Sequence, residues 1–163
     1  MTGSSEPGVE EYGRWHRRFG VDCNNRAWRL SERADRSREE DGEMVQAAFA
    51  AAYHWGKVGT ELQQARAAMV LGHVLALIGQ GGPAVMYATQ AFDYITSHES
   101  DAWEIAFAHA VQANAAFAAG DLAGHARHYA VAAETGAGLE SAEDREIFEA
   151  TFARIPVPAG AAK

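Results

Sequence analysis

Apolar residues recur every three or four positions through most of the chain, and glycine, proline and capping residues interrupt the pattern at regular intervals. The clearest case is VLGHVLALIGQGGPAVMYATQA at 70–91, where two apolar runs change phase across a Gly-Gln-Gly-Gly-Pro corner. Each run reads as a helix and the corner as a tight turn. The same reading predicts helices over 21–35, 40–57, 61–78, 83–97, 102–119, 122–135 and 142–153, a short one in EEYGRWHRRFG ahead of them, and no strand. Thr60 with Gln63, Asp101 with Glu104, and Ser141 with Asp144 supply start signals. Pro83 stands at a first helical position, where its missing N–H costs nothing, and Gly79 and Gly120 close helices. Residues 1–9 read as a disordered lead and 156–163 as a disordered tail, with a single helical-repeat domain over 10–155. Short turns force neighbouring helices antiparallel, so 61–97 and 102–135 form hairpins.

The hairpins repeat. Gly79 and Gly120 lie 41 residues apart. Ala84, Ala88 and Ala91 follow the first glycine, and Ala126, Ala130 and Ala133 follow the second at the same spacings, with one extra residue in the GDLAGHA turn. Such small side chains let the second helix of a hairpin lie close to the first. Leu71, Gly72, Gly79, Ala84 and Ala91 fall where the tetratricopeptide repeat has Leu, Gly, Gly, Ala and Ala. The chain therefore resembles a degenerate tetratricopeptide-repeat protein, most closely over 65–97 and more loosely over 103–135. It is also similar to uncharacterised bacterial repeat proteins, which implies no activity. The tetratricopeptide resemblance implies an all-α, right-handed solenoid of about three hairpins plus a capping helix. It further implies a concave face, lined by the first helix of each hairpin, that binds a peptide or partner protein.

Composition narrows the function. The formal charge of −8 argues against a nucleic-acid binder. No apolar stretch of about 20 residues is present to span a membrane. The single Cys23 points to a reducing cytoplasm. No nucleophile elbow, dinucleotide fingerprint, phosphate loop or HExxH motif occurs, so no cofactor or metal is expected, and the balance leans away from an enzyme. His125 and His128 share a helix face, but two ligands do not make a zinc site.

Carried over residue by residue, the resemblance puts Arg66, Met69, His73 and Ala76 on the concave face. A shift of 41 adds Phe107, Ala110, Asn114 and Phe117, and the first helix adds Asn24, Trp28 and Ser31. Arg66, His73 and Asn114, with Phe107, Trp28 and Asn24 around them, would grip a peptide or a small polar ligand. Groups held for binding would contribute little to stability. His109 and Gln112 fall where the motif buries apolar groups, so they either bond within the core or line a cavity. A pocket around His73, His109 and Asn114 would suit a small-molecule-binding accessory protein or a cofactor-independent enzyme, the alternative to a scaffold. Tyr53, His54 and Trp55 point about 100° apart on their helix and cannot all face one ligand; large aromatics there wedge against the next hairpin. A second candidate surface is the stripe Arg26, Arg29, Arg33 and Arg36, suited to an acidic partner or to head-to-tail homo-oligomers through the acidic last helix. Its alternative is a solvated face paired with nearby glutamates.

Overall fold

The computed structural model describes residues 8–160, and among these it contains seven helices and no strand. They are α1 (Val9–Ser31), α2 (Arg38–Val58), α3 (Glu61–Leu77), α4 (Gly81–Ser97), α5 (Ala102–Ala118), α6 (Leu122–Ala137) and α7 (Ala142–Phe152). Residues 1–7 and 161–163 lie outside the described residues, and with them most of the expected lead and the end of the expected tail.

The helices pack as consecutive hairpins: α1 on α2, α3 on α4, α5 on α6. The odd-numbered helices also lie side by side in order, α1 against α3, α3 against α5, α5 against α7. Each even-numbered helix packs against the odd-numbered helix that follows it as well as its own partner. The two central helices pay for this with near-total burial: Ala67–Ala76 of α3 are all buried, as is most of α5. Both are apolar all round because neighbours cover them on every side.

Local chemistry sets the ends. Ser37 with Glu40, Thr60 with Gln63, and Asp101 with Glu104 form reciprocal capping boxes. Gly79 and Gly120 take φ of 75° and 81°, conformations a side chain resists, and each closes a Schellman turn. The Gln80 N–H reaches Leu75 O at 2.9 Å, and the Asp121 N–H reaches Ala116 O at 2.9 Å. At the crossing of α3 and α4, a Cβ added to Gly72 would lie 2.8 Å from the Ala88 backbone nitrogen. The two backbones approach this closely because both positions carry almost nothing.

Several expectations need correcting. α1 begins at Val9 and absorbs EEYGRWHRRFG into one helix of 23 residues. Tertiary contact holds this part. Trp55 is buried against Gly20, where an added Cβ would come within 2.9 Å of the indole, and His54 Nδ1 lies 2.8 Å from His16 Nδ1. α4 starts at Gly81, so Pro83 is its third residue. α6 runs on to Ala137, with Gly136 tucked beneath the Phe148 ring. The buried stripe of α6 also differs. Ala84, Ala88 and Ala91 are buried as expected, but Ala126 and Ala130 are exposed. His125, Tyr129 and Ala132, each 41 residues beyond a buried alanine of α4, face inward instead, so GDLAGHA carries no extra residue.

Candidate functional site

The odd-numbered helices line a half-open pocket of about 470 Å3. α1 contributes Asn24, Asn25, Trp28, Arg29 and Glu32; α3 contributes Arg66 and Met69. Trp103 and Phe107 come from α5, and Asp144, Ile147 and Thr151 from α7. Spacings of three and four on each helix put these residues on one face. Aromatic rings form the apolar wall: Phe107 meets Trp28 edge-on at 5.6 Å, Trp103 at 6.0 Å and Phe148 at 5.4 Å.

Arg66 is held in place. Its Nε bonds Glu104 Oε1 at 2.8 Å and its guanidinium lies 5.1 Å from the Trp103 ring centre. Glu104 is 2% exposed, and its other oxygen accepts the Asp101 N–H at 3.1 Å. One carboxylate thus caps α5 and positions a pocket cation.

His73 lies below the pocket. It is 0% exposed, and its ring packs against Trp28 at 5.5 Å. Asn114, 2% exposed, places Nδ2 3.1 Å from His73 Nδ1 and 3.4 Å from His73 O. Burial, with the charges of Arg36 and Arg154, lowers the His73 pKa to about 3. The pair expected from the shift of 41 is therefore formed, but in the core. The expectation that these two side chains matter little to stability is corrected by their burial.

His109 is not part of this site. Its position on α5 faces α4 and α6, where its Nδ1 lies 3.0 Å from His128 Nδ1 and both rings meet Phe92 edge-on. Burial first, then the neighbouring His128, lowers the His109 pKa; burial, then Arg127, lowers that of His128. Gln112 donates to Thr89 Oγ1 at 3.2 Å. A pocket shared by His73, His109 and Asn114 is therefore not assembled. His125, one turn from His128, turns inward, with Nδ1 2.9 Å from Ala113 O. Among the described residues no three His, Cys, Asp or Glu side chains group closely enough to hold a metal ion.

The arginine stripe is mostly engaged within its own hairpin. Arg26 grips Glu43 through two bonds of 2.7 and 2.9 Å. Arg33 pairs with Glu40 and Asp35, and Arg36 with Asp41 at 2.7 Å while also donating to Leu30 O and Ser31 O. Arg29 alone of the four turns to the pocket. Of the aromatic triplet, Trp55 is the wedge, His54 joins His16, and Tyr53 is exposed.

Sequence reasoning placed Asn24, Trp28, Arg66, Met69 and Phe107 on the shared face, and the pocket brings these five together. It missed Trp103 and the whole α7 wall. The spacing of Asp144, Ile147 and Thr151 at three and four was the available signal for that wall. Searches of protein-family models, curated proteins and solved structures find no match to this chain.

Proposed function

We propose that this is a tetratricopeptide-like helical-repeat protein whose function is to bind a small, largely apolar molecule in the pocket between α1, α3, α5 and α7. The 41-residue correspondence of α3–α4 with α5–α6, and the ordered packing of odd-numbered helices, support the repeat reading. One observation carries the choice of a small molecule over a peptide. Trp28 reaches across the inner face to touch both His73 of α3 and Phe107 of α5. A peptide lying along the face would meet this barrier, whereas a compact ligand fits the cup beside it. The cup's volume lies within the range of about 300–1,000 Å3 usual for small-molecule sites. We take the protein to be cytoplasmic because its one cysteine, Cys23, can form no internal disulfide.

Fluorescence titration with the neutral apolar probe N-phenyl-1-naphthylamine tests the reading. The wild-type chain should bind one equivalent. A double variant, Asn24→Trp with Ile147→Trp, narrows the pocket from α1 and α7 and should weaken binding at least tenfold with the fold retained. Equal binding by a folded double variant would place the site elsewhere, and no binding by the wild type would remove the pocket from consideration.

A further inference from the structure

The two outer helices of the stack carry opposite charges that the chain itself leaves unanswered. α1 packs chiefly on α2 and α3, and α7 on α5 and α6, so each keeps a side without a neighbour. On the first half of α1, Arg14, Arg17, Arg18 and Val21 stand at i, i+3, i+4 and i+7. All four are exposed, and they line one shallow groove with Asp22 at its edge. Arg18 has a weak partner in Asp22, at 3.7 Å with both side chains largely in solvent. Among the described residues, Arg14 and Arg17 have no carboxylate within 4.0 Å. No carboxylate occurs between Tyr12 and Val21; Glu10 and Glu11 sit in the first turn, where the helix dipole favours them. The expected stripe of Arg26, Arg33 and Arg36 is spent on its own hairpin, so the basic surface open to a partner lies here instead.

The acidic counterpart lies on α7. Glu143, Glu146 and Glu149 follow one another at spacings of three and are exposed. Among the described residues none of them has a cation within 4.0 Å. Arg145, the one basic residue of the helix, bends back to Leu139 O at 2.6 Å. Glu149 stands in the last turn, where the helix dipole opposes a negative charge and a cation alongside would relieve it.

We infer that the protein associates head to tail, with Arg14, Arg17 and Arg18 of one copy docked on Glu143, Glu146 and Glu149 of the next. The charges match three against three, and the two sets do not meet within one chain. Odd-numbered helices already lie side by side in order, so α7 of one copy beside α1 of the next continues the same arrangement. Val21 and Trp15, 42% and 43% exposed, add apolar area next to the arginines. Because the two surfaces differ, each docked copy presents a fresh one, and assembly runs past the dimer. None of the six charged residues lines the pocket, so this inference stands apart from the binding proposal.

Sedimentation velocity over a range of protein concentrations tests it. In about 20 mM salt the mean mass of the wild type should rise past that of a dimer, and in about 500 mM salt it should fall back to the monomer, because exposed charges are screened. Two triple variants remove one surface each: Arg14→Gln with Arg17→Gln and Arg18→Gln, and Glu143→Gln with Glu146→Gln and Glu149→Gln. Each alone should associate at least tenfold more weakly than the wild type. Mixed one to one, they should form dimers and stop there, since one variant keeps only the acidic surface and the other only the basic one. If either triple variant does not fold, the single reversals Arg17→Glu and Glu146→Lys replace them, each weakening association several-fold. A wild type that stays monomeric in low salt would overturn the inference, leaving both surfaces to water or to other proteins. So would association that stops at the dimer, association that a folded variant leaves unchanged, or a mixture of the triple variants that forms no dimer.

Discussion

Acid should unfold this protein through His73. The imidazole is fully buried, and its pKa falls from 6.5 to about 3 in the folded state. Between those values the unfolded chain binds a proton that the folded chain refuses, so stability rises with pH across the window and is lost as pH falls. At about 1.4 kcal/mol per tenfold change in proton affinity, the whole window is worth about 5 kcal/mol. Going from pH 7 to 4.5 spans roughly half of it, or about 2–3 kcal/mol. That is a large share of the usual stability of a small domain, about 5–15 kcal/mol. His54, His109 and His128 are shifted in the same direction and add to the slope, so a variant must isolate His73. Urea unfolding of the wild type and His73→Gln at pH 7, 5.5 and 4.5 does so. The variant is less stable at pH 7 because it disturbs Asn114, but the gap should close by about 2 kcal/mol or more at pH 4.5. Parallel pH curves for the two proteins would refute the assignment of His73 as a buried, neutral side chain.

Two substitutions test the helix crossings. Gly72→Ala should destabilise by about 1–3 kcal/mol, because the new methyl meets the α4 backbone rather than a movable side chain; an unchanged melting temperature would contradict the close approach. Ala88→Leu should cost about as much, since Ala88 is buried against α3, while Ala130→Leu should stay within about 0.5 kcal/mol because Ala130 is exposed. Comparable losses in the two alanine variants would return α6 to the register that the alanine spacing alone suggests.

The helices were legible because their signals are local. Thr60 with Gln63 and Asp101 with Glu104 state where a helix starts, and Gly79 and Gly120 state where one stops, whatever packs around them. In sequence the first half of α1 looks like a short separate helix because Gly13 and Gly20 weaken its pattern; its order comes from Trp55 and His54, more than 30 residues away. The inward face of α6 is not legible in sequence because alanine occurs on both of its faces, so alanine spacing cannot distinguish them. His125 and Tyr129, which do face inward, look polar in sequence until Ala113 O and Phe152 are found beside them. At the site, a shift of 41 residues paired His73 with Asn114, and the structure joins them. What the shift could not reveal is depth: Trp28, from a helix outside the best-matching repeats, covers His73 and turns an expected binding group into a core group. The α7 wall escaped because the repeat correspondence ends near residue 135.

The four tryptophans offer the most direct measurement of the central claim, that the pocket between the odd-numbered helices binds the ligand. Trp28 and Trp103 line it; Trp15 lies on the exposed part of α1, and Trp55 in a separate buried cluster with Ala51 and Ala67. Their indole N–H signals can be followed separately in a proton–nitrogen correlation spectrum during titration with N-phenyl-1-naphthylamine. The Trp28 and Trp103 signals should move together and saturate at one equivalent, while those of Trp15 and Trp55 stay still. Movement of Trp15 with Trp28 and Trp103 unmoved, or no movement of any of the four at saturating probe, would contradict the account.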